Sequence, residues 1–554
     1  MTPPKEKKAT ADVAIIGGGP AGSTLGSLLK TYRPDLDVVI LEREQFPRDH
    51  VGESLLPAAC TIMDEIGVWD EVERHQFPIK VGAHYRWGAT PELIEFNFLR
   101  SAEFERYERP APFTGQRQLT TFQVDRSIFD KILLDHSREL GCRVYENTKV
   151  VKVHNEGDRV TGLETDSETI EARYYIDASG VSGILRRQFE VGIQSPTTLR
   201  NIAIWDYWQD ASWAHKVGEG GTFIQVMSLG WGWIWFITIG NTRTSVGLVT
   251  PVEYFKQSGL DREEIYLKAL AEEPHIVELL KNAKREHKLH ADRDWSYISD
   301  RLSGENWFLA GDSCGFADPI LSAGISLAMS GSRRVAYSIL ELERGTHDPV
   351  WIREEYDRIH KLNIGNHIRF ADYWYSANAK FSDLEEYCSE IAKGAGLSLD
   401  AKEAFRWLGT GGFTDDLTAE GPSSGSYRLN DLKRTIQATS GENPEWEIGN
   451  FNHLTLNLEG ATRQRSAAYR DGQVKPVESY RRGDHTLLLE RFYKYAYMAI
   501  SKSPWISTII KDIKTMARRH SNLDDREMEL VIFEILEAML VEGWIEGAAI
   551  TAPT

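Results

Sequence analysis

The sequence is poor in cysteine, in long apolar runs and in positive charge, and each shortage argues against a class of protein. Its 554 residues include only four cysteines, which lie far apart without CxxC or metal-ligand spacing: Cys60, Cys142, Cys314 and Cys388. We therefore expect no disulfide framework and no metal site, and a cytoplasmic location with free thiols. No apolar run reaches the roughly 18 residues of a membrane-spanning helix, and no signal-peptide pattern occurs.

The net charge of the chain argues against two further classes of partner. Lysine and arginine number 64 against 82 acidic residues, a net charge of −18. This excess of negative charge disfavours nucleic acid or an anionic membrane as the main partner. The length of 554 residues predicts two or three domains, because one core of that size is rare.

A glycine-rich stretch near the start predicts a dinucleotide site. Residues 13–16 have the apolar, β-branched character of a buried parallel strand, and Gly17, Gly19 and Gly22 follow at GxGxxG spacing. A helix and a second strand come next, and Glu42 ends that strand 20 residues past the third glycine. Such glycines permit a tight turn, close approach of a pyrophosphate and close helix–strand packing, while the carboxylate can accept from ribose hydroxyls. The spacing predicts the cofactor class but not the reaction.

Two later stretches also suit a nucleotide. Residues 177–180 (DASG) end a strand in small residues, as close approach requires. Residues 306–345 pass from a strand through Gly311 and Asp312 into a loop and a long helix. The free N–H groups at that helix start suit an anion or a flavin edge, and Asp312 can accept from a ribitol hydroxyl.

Two features are ambiguous from the residues alone. Lys80 lies at the entrance of a predicted strand among apolar neighbours, and an isolated lysine is usually a solvated surface charge. The run GWGWIWF predicts Trp231, Trp233 and Trp235 on one face of a strand. That face is either part of a core or a wall for a flat substrate or an isoalloxazine.

The order of these motifs carries a family resemblance. The GxGxxG start, the DASG strand end and GDSCGFADP (311–319) resemble the flavoprotein monooxygenase superfamily of the p-hydroxybenzoate hydroxylase type. Within it, HVGESLLPA (50–58), KVGAHYRWG (80–88) and DPILSAGISL (318–327) look like the FAD-dependent halogenases of phenols, pyrroles and other activated arenes. The resemblance covers roughly residues 10–345.

The resemblance implies FAD as cofactor and a set of site residues. Lys80 matches the active-site lysine of the family, to which hypohalous acid, made from reduced flavin, O₂ and chloride or bromide, passes through a tunnel. The halide would lie near the backbone N–H groups of Ala323 and Gly324, and Trp231 and Trp233 would form a wall for flavin or substrate. The cofactor would contact Gly17, Gly19, Gly22, Glu42, Arg43, Ser54, Arg126, Asp312, Pro319, Gly324 and Ile325.

Two positions depart from the family pattern. The WxWxIP signature, usually interpreted as keeping substrate away from the flavin, reads WGWIWF here, residues 231–236. Tryptophan halogenases carry a glutamate where this chain has Leu321. A phenol needs no such group to lose its ring proton, so the leucine favours a phenol or pyrrole over free tryptophan.

The resemblance thus implies a two-component halogenase of an electron-rich arene, free or bound to an acyl-carrier protein, with FADH₂ supplied by a separate flavin reductase. An aromatic hydroxylase and a non-catalytic flavin-binding regulator are the alternatives. The expected fold class is α/β, with a Rossmann-type FAD-binding domain (1–80, 115–195 and 297–345), an antiparallel β-sheet substrate domain (81–114 and 196–296) and a mainly helical C-terminal domain (346–554) covering the substrate cavity.

Overall fold

The computed structural model describes residues 8–87, 94–97, 120–293, 296–376, 447–483, 485–519 and 525–550. The chain forms two compact units, Met1–Gly396 and Leu397–Thr554. None of the helices in these described ranges is both long enough and apolar enough to cross a membrane.

The strands of the first unit are, in chain order, β1 (Lys8–Ile16), β2 (Val38–Leu41), β3 (Ile79–Arg86), β4 (Ile94–Asn97), β5 (Thr121–Phe122), β6 (Arg143–Tyr145), β7 (Val150–Glu156), β8 (Arg159–Thr165), β9 (Thr169–Asp177), β10 (Ile193–Gln194), β11 (Asn201–Gln209), β12 (Lys216–Val217), β13 (Gly221–Ser228), β14 (Trp233–Thr238), β15 (Arg243–Pro251), β16 (Lys284–Arg285), β17 (His290–Arg293), β18 (Tyr297–Ser299), β19 (Trp307–Leu309) and β20 (Gly315–Phe316). Its α-helices are α1 (Pro20–Tyr32), α2 (Pro57–Glu65), α3 (Trp69–Arg74), α4 (Arg126–Glu139), α5 (Ile184–Gln188), α6 (Val252–Ser258), α7 (Arg262–Glu272), α8 (Pro274–Leu280), α9 (Gly324–Arg344) and α10 (Pro349–Ser376).

A seven-stranded sheet carries the dinucleotide motif. Its order is β6-β2-β1-β9-β8-β7, with β19 on β9, and β1 runs parallel to β2 and β9. The apolar ends of β1 and β2 are buried, because helices such as α1 and α4 cover the sheet. Helix α9 packs along α1, where the Ser332 hydroxyl donates to the Ala21 carbonyl at 2.9 Å.

A ten-stranded sheet forms the second layer of this unit. Its order is β16-β11-β15-β14-β13-β3-β4, with β12, β17 and β5 at its margins, and β3 is parallel to β13 within an otherwise antiparallel sheet. Alternate residues of β14 divide between its faces: Ile234 and Phe236 pack with Ile265 and Tyr266 of α7. The opposite face, which bears Trp233 and Trp235, is turned toward the first sheet's strand ends, where both indoles line a cavity.

The second unit mixes helices and strands in its described part. It contains β21 (His453–Leu456), β22 (Thr462–Arg470), β23 (Gln473–Arg482), β24 (His485–Leu488), α11 (Arg491–Lys502), α12 (Ile506–Ala517), α13 (Asp525–Val541) and β25 (Ile545–Ala548). The three helices share one apolar core that includes Ala496, Ile509, Leu536 and Trp544. The β22–β23–β24 meander and the β21–β25 pair were not anticipated from the sequence.

The predicted α/β class, with a Rossmann-type layer and a largely antiparallel sheet, matches this architecture. The division into three domains stays a prediction, and so does a C-terminal cover over the cavity. Residues 88–93 and 98–114 of the predicted substrate domain lie outside the described residues.

Candidate active site

A cavity of about 760 Å³ lies between the strand ends of the first sheet and the indole face of the second. That volume is within the usual range of about 300–1,000 Å³ for ligand sites. Its lining comes from the glycine loop, the 48–54 loop, residues 178–182, the sheet face and the 311–328 segment. The structure therefore brings together motifs from the two ends of the first unit, from Gly17 to Ala328.

The three glycines differ in what they make possible. Gly17 has a φ of +106°, and a Cβ there would lie 2.3 Å from the Ala178 carbonyl oxygen. A Cβ on Gly22 would lie 1.9 Å from the Gly17 carbonyl oxygen, so this glycine lets α1 pack against the loop. Gly19 lines the cavity and has open space, with the Arg48 guanidinium nearest at 3.6 Å. The cradle thus fits the diphosphate of FAD at the N-terminus of α1.

Glu42 and Arg43 follow β2 and both line the cavity. The Glu42 carboxylate accepts from the N–H groups of Gly18 (2.7 Å) and Glu44 (2.9 Å), which hold it at the end of the glycine loop. Each carboxylate oxygen keeps a lone pair for a ligand hydroxyl. Arg43 is exposed, and its Nε lies 3.4 Å from a Glu44 carboxylate oxygen.

Arg126 lines the cavity but is engaged in supporting its wall. The guanidinium donates twice to Asp130, at 2.6 and 2.8 Å, and once to the Val51 carbonyl at 2.7 Å. It therefore braces the 48–54 loop. Asp312 lies within its field: burial raises the pKa of the Asp312 carboxyl to about 6, and the nearby guanidinium opposes that rise.

Lys80 lies behind the wall of the cavity rather than on the protein surface. It is 1% exposed, and its ammonium donates to the Ser54 hydroxyl at 2.7 Å and to the Leu55 carbonyl at 3.1 Å. Ser54 lines the cavity, whereas Lys80 is absent from the lining among the described residues. Burial lowers the pKa of Lys80 from 10.5 to about 7, because the dry site disfavours the ammonium. The solvated-lysine interpretation is excluded.

The 318–325 segment brings a turn and a helix start to the cavity. The Asp318 carboxylate accepts from Ile320 N–H at 2.9 Å, and Ser322 takes a φ of +58° before α9 begins at Gly324. Pro319, Gly324 and Ile325 line the cavity, whereas the Ala323 side chain is buried behind it. The first N–H groups of α9 have no partner within the helix, as at any helix start.

The structure separates the three tryptophans that the sequence predicted on one strand face. Trp233 and Trp235 line the cavity, but Trp231 packs on Tyr254 and donates to Glu272 at 2.8 Å. The prediction of one shared face was wrong because β14 begins only at Trp233. A turn closed by Leu229 N–H and the Gly232 carbonyl (2.7 Å) precedes it, so the alternation does not extend back to Trp231.

Sequence reasoning missed several residues of this site. Glu53 lines the cavity at 2% exposure beside Tyr207 and Ser245, and burial raises the pKa of its carboxyl to about 7. Its position between Gly52 and Ser54, in a loop expected to contact the cofactor, could have identified Glu53 as a site residue from the sequence. Trp205 also lines the cavity, from a strand whose continuous burial hides which face it presents.

Comparison with known proteins agrees with this geometry. A family model described as an FAD binding domain matches residues 10–362. A tryptophan 2-halogenase of Chondromyces crocatus is 33% identical over 384 residues, 67% of this chain and 69% of that protein. A 1H-pyrrole-2-carbonyl-[peptidyl-carrier protein] chlorinase of Pseudomonas fluorescens is 30% identical over 385 residues, 67% of this chain and 85% of that protein.

Solved structures show the same fold. The flavin-dependent halogenase CmlS superposes with a TM-score of 0.74 at 23% identity, covering 98% of this chain and 96% of that one. The myxobacterial chondrochloren halogenase CndH gives a TM-score of 0.60 at 28% identity, covering 79% and 98%. With the FAD cradle, the family model and relatives of 33% and 30% identity in agreement, the chain belongs to the FAD-dependent halogenases of the p-hydroxybenzoate hydroxylase-like flavoprotein superfamily.

Proposed function

We propose that the protein chlorinates or brominates an electron-rich aromatic ring, a phenol or a pyrrole, and that Lys80 delivers the halogen. The buried Lys80 ammonium, 2.7 Å from a cavity-lining hydroxyl, is the observation that carries the proposal. Bound in reduced form, FAD supplies the electrons that let O₂ and a halide yield hypohalous acid. The protein contributes binding, orientation and exclusion of water.

Lys80 can act in two ways. As a neutral amine it can be halogenated on Nζ and pass the halogen to the ring, and as an ammonium it can donate a hydrogen bond that polarises hypohalous acid. A pKa of about 7 makes both protonation states available near neutral pH. Burial of Lys80 keeps bulk water, a competing nucleophile, away from its Nζ atom.

The remaining site residues have supporting roles in this proposal. The glycine loop and Glu42 hold the ADP half of the cofactor, and Asp312 holds its ribitol. The halide lies at the start of α9, near the N–H groups of Ala323 and Gly324, where the helix dipole favours an anion. Trp233 serves as wall, and the displaced Trp231 drops out of that role.

The substrate class rests on Leu321, because the relatives divide between two classes. One relative is named a tryptophan halogenase and another a carrier-bound pyrrole chlorinase. Because Leu321 replaces the glutamate of tryptophan halogenases, we favour the phenol or pyrrole class over tryptophan. Reduced flavin would come from a separate flavin reductase.

A carrier-bound substrate would need a basic surface, because carrier proteins are acidic. Helix α11 offers one: Arg491 and Lys494 are exposed on it, and Met498 one turn further on is 48% exposed, whereas Lys502 at the helix end pairs with Asp512 at 2.8 Å. An apolar side chain among cations fits an acidic protein helix better than a polyphosphate. This surface supports a carrier as partner within an otherwise acidic chain.

The test compares Lys80→Ala with the wild type in the presence of FAD, a flavin reductase and competing chloride and bromide. Products from a panel of phenols and pyrroles, free and carrier-bound, are identified by mass spectrometry. We expect the variant to oxidise reduced flavin normally and to lose halogenated product. Lys30→Met is the matched control, since Lys30 is also buried and donates to two backbone carbonyls, at 2.6 and 2.9 Å.

Three results would contradict the proposal. Undiminished halogenation by Lys80→Ala would remove the lysine from the reaction. Oxygenated, halogen-free products from the wild type would instead identify a hydroxylase. An equal loss of product in Lys30→Met would mean that the assay reports folding rather than chemistry.

A further inference from the structure

One hydroxyl group connects two opposite linings of the cofactor cavity. The Trp233 indole N–H donates to the Tyr375 hydroxyl at 2.7 Å. That hydroxyl lies 3.2 Å from each Asp318 carboxylate oxygen and donates to this carboxylate. Trp233 belongs to the sheet face of the cavity, whereas Asp318 starts the turn that leads to the halide loop. Tyr375 itself, at the end of α10, is not among the described lining residues.

Each end of this link fixes a lining group. An indole has a single donor, so the bond to Tyr375 orients the Trp233 ring against the cavity. At the other end, Asp318 Oδ1 accepts from Ile320 N–H at 2.9 Å, and Oδ2 lies 3.4 Å from the Asn201 amide nitrogen. The carboxylate therefore holds the turn whose Pro319 and Ile320 line the cavity.

The end of α10 that carries Tyr375 is itself held firmly. Trp87 Nε1–H donates to the Trp374 carbonyl at 2.7 Å, and the Thr197 hydroxyl donates to the Asp372 carboxylate. The Trp87 and Tyr375 rings also meet edge to face, with centroids 5.9 Å apart. Because these contacts fix the end of α10, the Tyr375 hydroxyl holds Trp233 and Asp318 at a set distance from each other.

Burial makes the link consequential. Trp233, Tyr375 and Asp318 are each 2% exposed, so no bulk water can replace a lost partner. A buried donor or acceptor without a partner is strongly unfavourable, and the group moves to find one. Loss of the hydroxyl would therefore take the acceptor from the Trp233 indole and break the link between that ring and the Asp318 carboxylate, which keeps its bonds to Ile320 N–H and Asn201.

We propose that Tyr375 is a positioning residue that holds the Trp233 wall and the Asp318–Ile325 segment in register around the flavin. Only one of its tests rests on the proposed halogenation. With the register intact, hypohalous acid formed at the halide loop stays confined on its way to Lys80. Without it, hypohalous acid escapes and the oxidation of flavin no longer yields product.

The test replaces the hydroxyl alone, by Tyr375→Phe, in the full-length protein loaded with FAD. Visible circular dichroism reports the flavin environment, and the halogenated product formed per flavin oxidised reports coupling. We expect an altered flavin dichroism and a loss in coupling of about tenfold, the scale of one buried hydrogen bond to a charged group, with unchanged flavin oxidation.

Tyr356→Phe is the matched control. Tyr356 lies on the same helix, is fully buried, and its hydroxyl donates to the Leu309 carbonyl at 2.6 Å, away from the cavity lining. Both variants should lose thermal stability, but only Tyr375→Phe should change the dichroism and the coupling. Trp233→Phe, which removes the indole donor and keeps a ring, should share part of the Tyr375→Phe phenotype and serves if that variant does not fold.

The proposal falls if Tyr375→Phe matches the wild type in dichroism and coupling, or if Tyr356→Phe changes both equally. In case Tyr375→Phe does not fold, wild-type dichroism and coupling in Trp233→Phe would overturn it. A wild type that does not halogenate would refute the proposed function alone, because the flavin dichroism still decides the role of Tyr375.

Discussion

Replacing Lys80 by methionine should make the first unit more stable while removing its halogenation. The ammonium is buried, and its pKa falls from 10.5 to about 7. Methionine has a similar length and no charge to desolvate, so it fits the same apolar site. A residue selected for chemistry would in this way reduce the stability of the fold.

The sign and size of the change in unfolding free energy follow from proton linkage. Between pH 7 and 10.5 the unfolded chain holds a proton on this lysine that the folded chain does not, so the stability contributed at this site rises with pH across that window. Below pH 7 the full penalty applies, about 5 kcal/mol at about 1.4 kcal/mol per pKa unit. Methionine removes it but leaves the Leu55 carbonyl without a donor, which costs about 1–3 kcal/mol. The net gain is about 2–4 kcal/mol near pH 6.5, and above pH 10.5 only the loss remains.

Thermal unfolding of the apoprotein, followed by circular dichroism at pH 6.5 and at pH 10.5, tests this reasoning. For a unit of this size a gain of about 2–4 kcal/mol raises the melting temperature by a few degrees. We expect the rise at pH 6.5 only, and no rise in Lys30→Met at either pH. A Lys80→Met variant that melts below the wild type at pH 6.5, or whose difference is independent of pH, would refute a desolvated Lys80.

Three further predictions concern Lys80, the glycine loop and the basic surface of α11. The pH dependence of single-turnover halogenation by the wild type should show a limb near pH 7: a rate rising with pH indicates the neutral amine, a falling rate the ammonium, and a flat profile would contradict a role for the titrating lysine. Gly19→Ala should weaken FAD binding at least tenfold in a titration without lowering the melting temperature of the apoprotein, whereas Gly22→Ala should lower both, since only its Cβ meets backbone at 1.9 Å; equal effects would contradict the assigned roles. Charge reversal of Arg491 and Lys494 should reduce kcat/KM for a carrier-bound substrate about tenfold and leave the free substrate unchanged; equal loss for both would argue against a carrier surface.

The dinucleotide cradle was accessible from the sequence because its physics is local. A strand, a turn that needs glycine and a helix start occupy consecutive residues, so the spacing of Gly17, Gly19 and Gly22 together with these flanking elements identifies the site. The tryptophan run was only partly accessible. Alternation assigns a face correctly within β14, but the residue at which a strand begins depends on its neighbours, and Trp231 fell outside.

The role of Lys80 shows the limit of both approaches. Sequence alone left a solvated lysine as the usual interpretation, and a resemblance raised it to a candidate. Burial, the Ser54 contact and the lowered pKa arise only when β3 meets the 48–55 loop. For Arg126 the resemblance predicted a contact with the cofactor. The structure adds a hydrogen-bonded ion pair with Asp130, which the sequence spacing does not reveal.

The sequence by itself therefore determined the cofactor class, the fold class and the order of the motifs, because these depend on periodicity and on glycines at short, regular intervals. Only the tertiary structure decided which side chains line the cavity, Trp233 but not Trp231 and Glu53 beside Ser54, and which groups behind it are joined, as Tyr375 is to Asp318 across 57 residues. The physical reason is that desolvation and hydrogen bonding act through space. The energy of either interaction is determined only when distant segments pack together and remove water from the groups between them.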